Sequence, residues 1–93
     1  MLEKDIEKKV CDYAKERGCL VYKFTSPARA AVPDRMFITP NGKLFFAEFK
    51  QKGKKLTAPQ EREFARLIRY AVRVEMVDNV DFGKWYVDEM VSV

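Results

Sequence analysis

Leu2, Ile6, Val10, Tyr13 and Ala14 recur at the i, i+4, i+8 spacing that gathers apolar side chains on one helix face, which predicts a helix over Leu2 to Arg17. Gly18 is its stop, because glycine accepts the left-handed backbone that closes a helix. The pattern then changes. Cys19 to Phe24 reads as a short strand rich in branched and aromatic residues, and Thr25 to Val32, with Ser26-Pro27, as a loop. Asp34 to Thr39 and Lys43 to Lys50 read as two strands joined by Pro40-Asn41-Gly42. Proline suits the first turn position, asparagine the second and glycine the left-handed third. The connection is therefore a three-residue loop, a type I turn closed by a glycine bulge.

Gln51 to Lys55 is a polar, basic loop. A second helix is predicted from Ala58 to about Tyr70, with Thr57 as N-cap and Gln60 at the capping-box position. Phe64, Leu67, Ile68 and Ala71 form its expected buried stripe. Val72 to Val77 is a further strand. Asp78 to Val93 holds a short final helix packed through Phe82, Trp85, Tyr86 and Met90, with Gly83 a weak point in its pattern. The order α-β-β-β-α-β-α predicts an α/β fold, a mixed sheet flanked by helices. There is no internal repeat, low-complexity segment or linker, so residues 1–93 are expected to form one domain.

Composition narrows the chemistry. Apolar residues make up 47% of the chain, in the globular range, and no apolar run is long enough to cross a bilayer. The charged N-terminus leads into a helical pattern and is not a signal peptide, so a cytoplasmic location is expected. Cys11 and Cys19 read as small buried apolar groups rather than a disulfide or a zinc site. There is no histidine, which excludes Ser-His and Cys-His nucleophile pairs and leaves carboxylates, lysine, tyrosine or a metal. The net charge of +4 and pI near 9.1 suit a polyanionic partner.

The hairpin brings these threads together. A three-residue loop over 40–42 pairs Thr39 with Lys43, and counting back pairs 38 with 44, 36 with 46 and 34 with 48. Asp34 then faces Glu48 on one side of the sheet, with Cβ atoms roughly 5 Å apart. Lys50, two residues beyond Glu48, shares that side. A two-residue turn would slip the register and part the two acids. Like charges this close repel unless a cation lies between them. Mg²⁺ suits two carboxylates completed by phosphate and water. Lys50 could orient a water or stabilise charge on the phosphate. A bare Glu-x-Lys is common, and Glu48 and Lys50 would then be solvated charges on a strand. Here the same-face neighbours Leu44 and Phe46 are apolar, the turn count places Asp34 opposite, and the basic run Lys50-Gln-Lys-Gly-Lys-Lys55 follows, able to hold a backbone phosphate.

These residues resemble the PD-(D/E)xK nuclease superfamily, and within it the small stand-alone virus-type VRR-NUC domain. The resemblance is carried in order by Glu3-Lys4-Asp5-Ile6-Glu7, Lys23-Phe24-Thr25-Ser26-Pro27, Val32-Pro33-Asp34-Arg35, Phe46-Ala47-Glu48-Phe49-Lys50, Gly53-Lys54-Lys55 and Gln60. It runs from the first helix to Val77. Tyr70-Ala71 departs from it where a glycine is expected. The resemblance implies a restriction-endonuclease-like core and an endonuclease that hydrolyses DNA phosphodiesters with Mg²⁺ or Mn²⁺. Asp34, Glu48 and the Phe49 carbonyl would bind the metal, and Lys50 would serve the attacking water. A glutamate from the first helix would complete the set, Glu7 being the first candidate and Glu3 the runner-up. Gln60 would line the site, its other reading being the helix cap. Lys23, Ser26, Arg29, Arg35, Lys52, Lys54 and Lys55 are the candidate DNA contacts, each basic residue being singly also an ordinary surface charge. The resemblance further implies a homodimer acting on branched DNA such as a four-way junction, with a phage or prophage origin in keeping. Trp85, Val87 or Val91 are offered as dimer contacts. A non-catalytic basic nucleic-acid-binding module, or a structural subunit of a repair or replication complex, are the alternatives.

Overall fold

The computed structural model describes residues 1–92. Its elements are α1 (Glu3–Glu16), β1 (Leu20–Lys23), β2 (Arg35–Ile38), β3 (Leu44–Phe49), α2 (Ala58–Arg69), β4 (Arg73–Val77) and α3 (Val80–Val91), in the order read from the sequence. Val93, the last residue of the segment assigned to the final helix, lies outside the described residues. The four strands form one mixed sheet in the order β1-β2-β3-β4, antiparallel except for the parallel pair β3 and β4. A parallel neighbour needs a crossover, and α2 supplies it.

Period-two alternation along β3 divides the interior between the two sheet faces. Phe45, Ala47 and Phe49 point to one face and pack with Ile6, Val10 and Ala14 of α1 and with Tyr86, Val87 and Met90 of α3. Phe46 points to the other face and meets Phe64 of α2 and Val74, with Phe24, Met36 and Leu67 beside them. Both cysteines are free and buried, and burial pushes the Cys11 thiol up to about 11. The predicted α2 stripe is narrower than expected: Phe64 and Leu67 pack inward, while Ile68 is 58% exposed and Ala71 lies on the surface. Leu2 is likewise exposed ahead of the first helical turn. Val87 is fully buried and Val91 packs against the core, so neither is the surface group first offered for a dimer contact.

Two helix ends use the same closing motif. After α1, the N–H of Gly18 reaches the Lys15 carbonyl and that of Cys19 the Ala14 carbonyl, each at 2.9 Å. After α2, Ala71 and Val72 repeat these bonds to Ile68 and Leu67 at 2.9 and 3.0 Å. The motif demands a left-handed residue at its bend. Gly18 meets it at φ 87°. Ala71, standing where the resemblance expects glycine, is forced to φ 62° against its Cβ. Gly83 has a different reason to be glycine. A Cβ there would collide with Val10 and come within 3.0 Å of Val77, so its absence lets α3 lie close on α1 and the sheet.

Candidate active site

The turn at 40–42 has the predicted form. Gly42 N–H bonds the Thr39 carbonyl at 2.9 Å and Gly42 adopts φ 86°, while Thr39 N–H bonds the Lys43 carbonyl at 2.9 Å. The ladder that follows pairs Ile38 with Leu44, Phe37 with Phe45, Met36 with Phe46 and Arg35 with Ala47. One further step puts Asp34 opposite Glu48. That step belongs to the set of pairs that exchange no backbone bonds, the set whose side chains lie closer together. At the end of the ladder the Asp34 carboxylate itself accepts the Phe49 N–H at 3.0 Å. Asp34 is thereby tied to the strand that carries Glu48.

Glu48 is buried at 5% exposure on the face covered by α2. Lys50 Nζ lies 4.0 Å from its carboxylate. Gln60 Nε2 donates to the same carboxylate oxygen at 3.1 Å. Gln60 also closes the capping box: its Oε1 accepts the Thr57 N–H at 2.9 Å, and its own N–H bonds the Thr57 hydroxyl at 3.3 Å. One amide thus starts α2 and touches the acid, so the two readings of Gln60 coincide. Burial first, and the charge of Asp34 second, push the Glu48 carboxyl up to about 7 against the pull of Lys50, with a smaller push from Glu3.

The first-helix candidates separate here. The Glu7 carboxylate is bound by Arg35 Nε at 2.6 Å. Arg35 precedes Met36 on β2, so it points to the α1 face, away from Glu48. Among the described residues neither Glu7 nor Glu3 joins the acidic pair in a cluster of three. Glu3, one turn nearer the start of α1, is the helix glutamate whose charge Glu48 feels. The parity of Arg35 along its strand was readable in the sequence and gives the sheet face it occupies, though not its partner.

The candidate DNA contacts scatter. Ser26 and Arg29 line a cleft of about 290 Å³ whose wall includes Asp34. Arg29 also pairs with the buried Glu63 at 3.2 Å. Lys23, Lys52, Lys54 and Lys55 are exposed, the first on the edge strand β1 and the others in the loop after β3. Arg35 is held by Glu7. Sequence reasoning missed Arg62, Arg66 and Arg69 on α2, which line a neighbouring cleft. Their i, i+4, i+7 spacing was the available signal.

The donor set can be tested against a divalent cation. Two hard carboxylates face one another, and Glu48 is driven toward its neutral form by burial first and by Asp34 second, so the pair lacks positive charge. Among the described residues no cluster of three or more His, Cys, Asp or Glu side chains is assembled. Two carboxylates completed by carbonyl, water and phosphate oxygens is the arrangement that Mg²⁺ accepts, so the residues present fit that ion.

The architecture and this acidic hairpin end define an α/β class in which a mixed sheet presents two carboxylates and a lysine beside a crossover helix. No family model matches the chain. A protein of Acyrthosiphon pisum secondary endosymbiont phage 1, named "Putative nuclease p44", is 43% identical over 81 residues, 87% of each chain. A solved structure of a VRR_NUC domain matches with a TM-score of 0.82 and 27% identity, covering 96% of this chain and 92% of that one. The chain belongs to the VRR-NUC family. None of its described helices is long and apolar enough to cross a membrane.

Proposed function

We propose that this protein is a Mg²⁺- or Mn²⁺-dependent DNA endonuclease that acts as a homodimer on branched DNA. The observation that carries this reading is the Asp34–Glu48 pair, set face to face by the hairpin register, with Lys50 and Gln60 on the Glu48 carboxylate. The name of the phage relative supports the nuclease class.

Asp34, Glu48 and the Phe49 carbonyl would hold the ion, and a glutamate of α1 would complete the set, Glu3 being the one whose charge reaches Glu48. When bound, the ion supplies positive charge for the negative charge that develops on the phosphate. The protein's own groups do the rest. Gln60 fixes the Glu48 carboxylate from the start of α2. The Phe49 N–H fixes Asp34. Lys50, whose side chain is 16% exposed, has its ammonium beside these acids, where it orients a water or stabilises the departing oxygen. For a second copy, the open part of the sheet face offers Leu20, Tyr22 and Leu44, each about half exposed and brought to one side by the strand register. Two sites on a two-fold axis suit paired cuts across a junction.

The test is cleavage of four-way junction and linear duplex DNA with Mn²⁺, Mg²⁺ or EDTA. Cutting is expected only with metal and preferentially on the junction. Glu48→Ala should abolish it, and Lys50→Ala should slow it by about 10²- to 10³-fold. Glu3→Gln should cost more activity than Glu7→Gln. DNA bound by the wild type but cut under none of these conditions would leave only a binding module.

A further inference from the structure

Helix α2 carries a second charged feature, separate from the acidic pair. Arg62, Arg66 and Arg69 share one helix face, are exposed, and form no ion pair among the described residues. With Arg29 and Pro59 they line a cleft of about 430 Å³ between α2 and the loop at 28–31. The acid in its lining, Glu63, is buried and already bound to Arg29, so the three α2 arginines stay uncompensated. Arg66 and Arg69 complement the negative end of α2. Arg62, nearer the positive end, gains nothing from that dipole. Arg29 and Ala30 also line the cleft beside Asp34, so the two clefts adjoin along that wall.

We propose that Arg62, Arg66 and Arg69 hold the phosphate backbone of the DNA duplex arm that flanks the bond to be cut, a role that rests on the nuclease reading above. From Arg62 to Arg69 the helix rises about 10 Å. Over that length one strand of duplex presents about three phosphates. No aromatic side chain lines the cleft, so it provides no platform for the stacked bases of a single strand. The chemistry offered is charge alone, spaced for a regular backbone.

The experiment is the salt dependence of binding to a short DNA duplex, measured in EDTA so that nothing is cut. Arg62→Ala/Arg66→Ala/Arg69→Ala should flatten the slope of log K against log salt by about 2 to 3. Between 50 and 200 mM salt the wild type should therefore lose roughly 40-fold more affinity than the triple variant. The triple lysine variant should keep the wild-type slope. With metal present, the alanine variant should raise KM and leave kcat alone. An unchanged slope in the alanine variant overturns the proposal, as does a loss that lysine does not restore. A larger effect on single-stranded than on duplex DNA overturns the duplex assignment. Altered slopes with no cleavage by the wild type would remove the nuclease reading and retain this face as a duplex-binding surface.

Discussion

Replacing Glu48 by glutamine should make the metal-free protein more stable while destroying its activity. The wild-type carboxyl has its folded-state pKa raised to about 7, from an ordinary 4.5, chiefly by burial and then by Asp34. Between those two values the unfolded chain gives up its proton while the folded chain keeps it. Stability therefore falls as pH rises through this window and stays low above it. A displacement of this size corresponds to about 3 kcal/mol. Glutamine carries no charge, leaves an oxygen to accept from Gln60 Nε2, and keeps nearly the same volume. In EDTA, Glu48→Gln should match the wild type near pH 4.5 and exceed it above pH 7 by an amount on the order of 3 kcal/mol. For a domain of this size that is roughly 15 °C in Tm. Mn²⁺ should narrow the gap by stabilising the wild type alone. Thermal unfolding followed by circular dichroism across pH 4.5 to 8.5 measures all of this. A variant no more stable than the wild type at pH 8.5 without metal would show that Glu48 is not held at electrostatic cost, and the physical case for a cation there would collapse.

Two further predictions concern the scaffold. Ala71→Gly should relieve the left-handed strain at the end of α2 and stabilise the protein by about 0.5–1 kcal/mol; a lower midpoint in urea would show that Ala71 sits there without strain. Gly83→Ala should force α3 off Val10 and cost about 1–3 kcal/mol, read in the same titration, whereas an unchanged midpoint would mean that the helices part without cost.

The fold was legible because local signals agreed: helix stripes, the stop at Gly18, the turn at 40–42 and the cap at Thr57 each point to the same element order. The facing of Asp34 and Glu48 followed from arithmetic on a single turn. Other features depend on how distant elements meet. Ile68 falls on the α2 stripe, yet α2 leans on Val74 of β4 and Phe46 of β3 through Phe64 and Leu67, which leaves Ile68 outside. Gly83 looked like a defect in a helix because its reason, the Val10 side chain, lies in another helix. The ion pair of Glu7 with Arg35 was out of reach because the parity of Arg35 was available but its partner was not. Gln60 showed the reverse economy, since a residue read two ways from sequence both caps α2 and bonds Glu48 with one amide.

The hairpin turn places an unusual demand on tolerance to change. Gly42 is exposed and a Cβ there would touch nothing. By surface criteria its loop is a place where residues can be gained or lost. Yet Gly42 stands six residues from Glu48 along β3, about 20 Å of strand, and every rung between them transmits its count without slack. A single-residue insertion or deletion at this solvent-facing tip would be felt at the far end as a carboxylate turned to the wrong side of the sheet. Lineages of this protein should therefore vary the identity of the turn residues, within what a left-handed third position allows, far more freely than their number.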